Sequence, residues 1–197
     1  MLFRSHSNQL GRFENFDLVH LKHVFSQLQQ ALREEGIPLT LHLGMEIFAS
    51  EDLCEKIQAG ALLSLNRSRY YLVEFAFDEA PEFIGDILDG MLSVGAIPVI
   101  AHPERYFCVQ DSPELLYEFR EMGAVLQMNK GSVFGRFGKE AERTAHYLLE
   151  NRLAGCAASD AHRADYRTPD MRPIREFLSE WYGESYAELL LKVNPRR

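Results

Sequence analysis

The chain has 197 residues, 46% of them hydrophobic and 25% charged, with a formal net charge of −8. That length predicts one domain, residues 1–197, with a sizeable core, and the composition excludes both a disulfide-stapled mini-protein and a disordered segment. The 21 Lys and Arg are outnumbered by 29 Asp and Glu and are scattered along the chain, which argues against nucleic acid as a partner.

Residues 1–5 run directly into His6 without the apolar core of a signal peptide, so no export is expected, and these five residues are expected to be a non-native start. From 16 to 35, Leu18, Leu21, Val24, Phe25, Leu28 and Leu32 recur at helical spacing, and Gly36 and Pro38 stop the helix. An extended apolar stretch (39–47), a short helix (51–57) and a strand (71–77) follow. Further on come a helix at 81–93, a strand at 97–101, a helix at 113–122 and a strand at 124–128. The last elements are a helix at 139–150, a strand at 154–158 and two helices at 172–181 and 185–191. Five strands alternating with helices predict an α/β fold of parallel strands joined by right-handed crossovers. Periodicity alone leaves an open doubly wound sheet and part of a barrel as alternatives, and both place chemistry at the C-terminal ends of strands.

The three cysteines, Cys54, Cys108 and Cys156, are odd in number and lack CxxC spacing, and no apolar run reaches the ~18 residues of a membrane span. A reducing, cytoplasmic location is expected.

Sorted by strand ends, the polar residues converge. Glu46 lies at the end of the first predicted strand, Glu74 in or near the end of the second, His102 directly after the third, and Asp160 and His162 just after the last. Such a cluster of carboxylates and imidazoles repels itself or demands a countercharge, which divalent metal ions supply. Glu74 is the most telling, because a carboxylate flanked by Tyr71-Leu72-Val73 and Phe75-Ala76-Phe77 is costly unless paired or metal-bound. In Asp160-Ala161-His162, side chains two residues apart on an extended segment face one side and could share one ion. Mixed His and carboxylate ligation suits manganese, iron or zinc better than calcium. Arg105 and Arg167 follow these residues in loops; each reads equally as a phosphate clamp and as a surface ion pair. His20, His23, His42 and His146 read as ordinary surface or structural histidines, and Cys108 and Cys156 as small core residues. No P-loop, GxGxxG, HExxH, GxSxG or Cys-x5-Arg segment occurs.

Several blocks, in this order, resemble the bacterial capsular-polysaccharide tyrosine phosphatase branch of the polymerase-and-histidinol-phosphatase (PHP) superfamily. They are Gly44-Met45-Glu46-Ile47, Val73-Glu74-Phe75, Pro98-Val99-Ile100-Ala101-His102-Pro103-Glu104-Arg105-Tyr106, Gln127-Met128-Asn129 with Gly131-Ser132, Ala158-Ser159-Asp160-Ala161-His162, and Arg167-Thr168-Pro169. The resemblance implies a PHP-type distorted (βα)7 TIM-like barrel holding a cluster of divalent metals, manganese foremost with iron, zinc or magnesium as alternatives. It implies hydrolysis of phosphotyrosine on proteins, with a bacterial tyrosine kinase controlling capsular or exopolysaccharide synthesis as partner. By position it implies Glu46, Glu74, His102, Asp160 and His162 as metal ligands, His6 as a further one, and Arg105 and Arg167 as catalytic phosphate-binding residues. The family's opening strand with His-x-His has no counterpart in this sequence, so the barrel is expected to be N-terminally incomplete. Two other readings stand beside it: a different PHP phosphoesterase, such as a histidinol-phosphatase-like enzyme, and a catalytically impaired fragment acting only as a binding module.

Overall fold

The computed structural model describes residues 2–7 as backbone and residues 17–196 in full. The chain divides into two compact units, residues 1–76 with 85–99, and residues 77–84 with 100–197.

The first unit contains β1 (Leu2–Ser7), α1 (Leu18–Glu34), β2 (His42–Phe48), α2 (Leu53–Gln58), β3 (Tyr70–Glu74), most of α3 (Pro81–Ser93) and the start of β4 (Ile97–Ala101). The Asp17 carboxylate caps α1 by accepting from the His20 N–H at 2.9 Å, satisfying a donor that the helix itself cannot. Leu21 is buried and Leu18, Val24, Phe25, Leu28 and Leu32 are half-buried, the single apolar face that the spacing predicts. Strand order follows the chain, and β1–β2 and β2–β3 are parallel, with His6 opposite Glu46 and Phe48 opposite Glu74. Met45, Ile47, Leu53, Leu72, Val73, Leu88 and Met91 are fully buried in this unit. Each such side chain contributes about 1.5–3 kcal/mol over its exposed state.

The second unit contains the end of β4, a 3-10 turn at Pro103–Arg105, α4 (Phe107–Asp111), α5 (Leu115–Met122), β5 (Val125–Asn129), α6 (Lys130–Val133), α7 (Lys139–Glu150), β6 (Cys156–Ala158), α8 (Arg172–Tyr182) and α9 (Glu184–Glu188). A wider helical turn, Leu189–Val193, continues α9. The order β4-β5-β6 again follows the chain, and β5–β6 is parallel with Asn129 opposite Ala158. The core of this unit is Ile100, Tyr106, Leu116, Leu126, Met128, Leu148, Leu149, Ile174, Leu178 and Leu190.

Three expectations are corrected. There are six strands among the described residues, not five, because residues 2–7 pair with β2 although they carry no period-2 apolar alternation. The second predicted strand stops at Glu74, three residues early, and of the two positions expected for Glu74 it takes the strand end. Strand β6 keeps only three of five predicted residues. The short helices α4 and α6 are too brief to carry a helical period, so the sequence does not signal them.

Candidate active site

In the first unit, Glu46 is the fifth residue of β2 and Glu74 the last of β3. Glu46 is 1% exposed and Glu74 half-buried, and each offers a carboxylate oxygen within 4.8 Å of the other's. Two like charges so close, in a setting of low dielectric, raise each other's free energy unless a cation lies between them. This donor set, hard carboxylate oxygens with one side chain wholly withdrawn from water, fits a divalent metal ion. The His6 backbone faces Glu46 across β1–β2; its side chain, and the loop at residues 8–15 that the resemblance includes, lie outside the described residues.

In the second unit, His102 follows β4 with its backbone in the left-handed region (φ 35°) and is 3% exposed. Its N–H donates to the Gln127 carbonyl at 2.8 Å, and its ring meets Phe77 and Tyr106 edge-on, both at 6.1 Å between centroids. The Tyr106 hydroxyl donates to the Ala101 carbonyl at 2.8 Å, so the aromatic wall is fixed to the strand that delivers His102.

Asp160, two residues past β6, is also left-handed (φ 45°) and 6% exposed. Its carboxylate accepts from the Asn129 amide at 2.8 Å and pairs with the Arg167 guanidinium. Arg167 is a third left-handed residue (φ 51°), and its buried Nε has no hydrogen-bond partner among the described residues. Left-handed conformations at non-glycine residues cost free energy that the surrounding contacts must offset, and three of the six among the described residues lie at these positions. The same geometry corrects one premise. Because the chain turns at Asp160, the Asp-Ala-His segment is not extended: Asp160 is buried while the His162 ring is exposed and touches the Asp160 carbonyl at 2.9 Å through Nδ1.

Arg105 ends the turn after His102, its Cζ 4.4 Å from the Phe77 ring centroid and 4.3 Å from that of Phe137. His20, His23 and His42 are exposed, and His146 packs on Phe177 at 5.7 Å, as read from the sequence.

Several contributors had no assigned role. Glu104 is fully buried: its Oε1 accepts from the Asn129 N–H at 3.0 Å and the Ser132 hydroxyl at 2.6 Å, and burial pushes its carboxyl above the usual range. Asn129 caps α6 by accepting from the Gly131 N–H at 2.8 Å while its amide holds Asp160. The Lys130 ammonium donates to the Thr168 carbonyl at 2.6 Å and to that of Asp170, fastening the loop that bears Arg167. Glu104 and Asn129 lie in blocks whose resemblance is legible; Lys130, Phe77 and Phe137 carry no sequence signal.

Residues 6–197 match the family of capsular polysaccharide synthesis proteins CpsB/CapC. The chain belongs to this family. Among CpsB/CapC relatives, the tyrosine-protein phosphatase YwqE of Bacillus subtilis is 35% identical over 179 residues, covering 87% of this chain and 70% of YwqE. The tyrosine-protein phosphatase CpsB of Streptococcus pneumoniae is 33% identical over 178 residues, covering 88% and 73%. The α/β fold also matches a crystal structure from the work on these two proteins, described there as unique metal-dependent tyrosine phosphatases, with a TM-score of 0.81 at 34% identity over 87% of this chain and 70% of that one.

Proposed function

We propose that this CpsB/CapC chain is a metal-dependent phosphatase that releases phosphate from phosphotyrosine on proteins, a bacterial tyrosine kinase of capsular or exopolysaccharide synthesis being the partner. The observation that carries the reading is the pair of carboxylates, Glu46 and Glu74, placed within 4.8 Å of one another with one of them wholly buried. The family relationship supports it, since its relatives bear that activity in their names.

Glu46, Glu74, His102, Asp160, His162 and His6 are the proposed ligands, with manganese as the first metal to test. A bound divalent ion supplies Lewis-acid neutralisation of phosphoryl charge and acidifies water. The chain's own residues do the rest. Arg167, with a buried Nε–H still unpaired among the described residues, and Arg105 donate from their guanidinium forks to the non-bridging phosphoryl oxygens. Asn129 and Arg167 keep the Asp160 carboxylate fixed before any ligand arrives. The strands are proposed to belong to a PHP-type barrel. A cytoplasmic site of action agrees with three free cysteines and with the lack of any helix, among the described residues, long and apolar enough to cross a membrane.

The test is phosphate release from a phosphotyrosine peptide with added manganese, beside a phosphoserine peptide and histidinol phosphate. Release from phosphotyrosine that stops in chelator and is lost in Glu74→Gln supports the reading. Preference for histidinol phosphate would move the chain to a small-molecule phosphoesterase, and kinase binding without phosphate release would make it a binding module.

A further inference from the structure

Both candidate phosphate-binding arginines lean on one aromatic ring. Phe137, in the loop between α6 and α7, has its centroid 4.3 Å from Cζ of Arg105 and 5.4 Å from Cζ of Arg167. A guanidinium held against a ring face keeps its N–H edge directed away from the ring, the orientation that bidentate recognition of an oxyanion needs. Arg105 has Phe77 as a second ring neighbour at 4.4 Å, whereas the Phe137 ring lies against both arginines.

The backbone beneath the ring is fitted to it. A Cβ at Gly131 would lie 2.9 Å from Cε2 of Phe137 and 3.3 Å from Cδ of Arg136, so the ring seats against a position where any larger residue would displace it. Gly131 is in turn held by the Asn129 side chain at 2.8 Å, the same side chain whose amide grips Asp160. Phe137 is therefore tied, through two contacts, to the element that fixes Asp160 and Arg167.

We infer that Phe137 is a positioning residue: it holds Arg105 and Arg167 side by side as a single fork for a phosphoryl group. This rests on the reading that the two arginines bind phosphate. The ring acts through the arginines, by limiting the rotamers the two long side chains sample, so that less entropy is lost when phosphate arrives.

The experiment uses the full chain and the variants Phe137→Leu, Phe137→Tyr and Phe134→Leu. Phe134 is a nearby aromatic that packs on Phe177 at 5.9 Å and serves as control. Inorganic phosphate is titrated while the Nε–Hε NMR signals of Arg105 and Arg167 are followed, and KM and kcat are measured on a phosphotyrosine peptide with manganese. In the wild-type chain phosphate should shift both signals together. Phe137→Leu should weaken phosphate binding about tenfold, raise KM by a similar factor with the larger part of the loss in KM, and remove the ring-current displacement of both signals. Phe137→Tyr should restore all three, and Phe134→Leu should leave them unchanged. Wild-type phosphate binding and arginine signals in Phe137→Leu, or an equal loss in Phe134→Leu, would overturn the inference while leaving the function intact. Phosphate moving neither arginine in the wild-type chain would overturn both together.

Discussion

Asn129 and Asp160 meet side chain to side chain, the amide donating to the carboxylate at 2.8 Å across 31 residues of sequence. The other end of the same amide accepts from the Gly131 N–H, so the end of β5 sets where a proposed metal ligand beyond β6 must stand. Asn129→Ala removes the donor but leaves the Arg167 partner. Because outer hydrogen bonds to metal ligands contribute about 10–100-fold in affinity or activity, the variant should need about tenfold more manganese for half-maximal phosphate release. A metal titration followed by activity checks this; an unchanged midpoint would show that Arg167 alone suffices to place Asp160.

Metal binding should be visible without any turnover. If Glu46 and Glu74 hold an ion that the unfolded chain does not, added manganese stabilises the fold by about 2.7 kcal/mol at a hundredfold excess over the dissociation constant. For a chain of this size that is a rise of roughly 5–10 °C in the thermal midpoint. Glu46→Gln and Glu74→Gln should fold and show almost none of this gain, because an amide is a poor ligand and the carboxylate pair is broken. Differential scanning fluorimetry with chelator and with manganese reads the difference directly.

Glu104 allows a prediction in which the sign depends on pH. Its buried Oε1 satisfies the Asn129 N–H and the Ser132 hydroxyl, so Glu104→Ala orphans two buried donors and should cost about 2–4 kcal/mol. Glu104→Gln keeps an acceptor at that atom. Burial raises the folded-state carboxyl above its ordinary value of 4.5, so the folded chain binds a proton the unfolded chain releases. The wild type therefore loses stability as pH rises from the ordinary value through the folded one, and the glutamine variant lacks that loss. Urea midpoints of the two proteins, measured upward from about pH 4.5, should shift progressively in favour of Glu104→Gln.

How far the sequence reveals this arrangement depends on the distance over which each feature is encoded. The helices are legible because apolar spacing and a stop such as Gly36 are local, and Glu74 stands out as a carboxylate among apolar neighbours at a strand end. Glu104 carries no readable role, because nothing in Pro103-Glu104-Arg105 shows that Ser132 and Asn129 will close over it. The left-handed backbone at His102, Asp160 and Arg167 is equally silent, since that conformation is normally announced by glycine or asparagine. For the same reason the extended geometry assumed for Asp160-Ala161-His162 fails, and the two side chains end in different environments, one buried and one exposed.

Lys130 is the least legible contributor and gives the sharpest test of how Arg167 is held. Its ammonium reaches 38 residues along the chain to the Thr168 carbonyl and also to that of Asp170, bracketing the loop immediately after Arg167, and burial draws its pKa below the ordinary lysine value. Hydrogen bonds from a charged donor contribute about 1.5–3 kcal/mol each, more than enough to hold one loop conformation against a left-handed residue within it. Lys130→Met preserves the aliphatic stem and deletes both bonds. Amide hydrogen exchange at Tyr166, Arg167, Thr168 and Asp170 should then accelerate by about tenfold or more while exchange in α7 and α8 stays as in the wild type, and phosphate release should fall about tenfold because Arg167 is no longer delivered in one orientation. Faster exchange with full activity would mean that the ion pair with Asp160 positions Arg167 unaided, and unchanged exchange would remove the clamp from the account altogether.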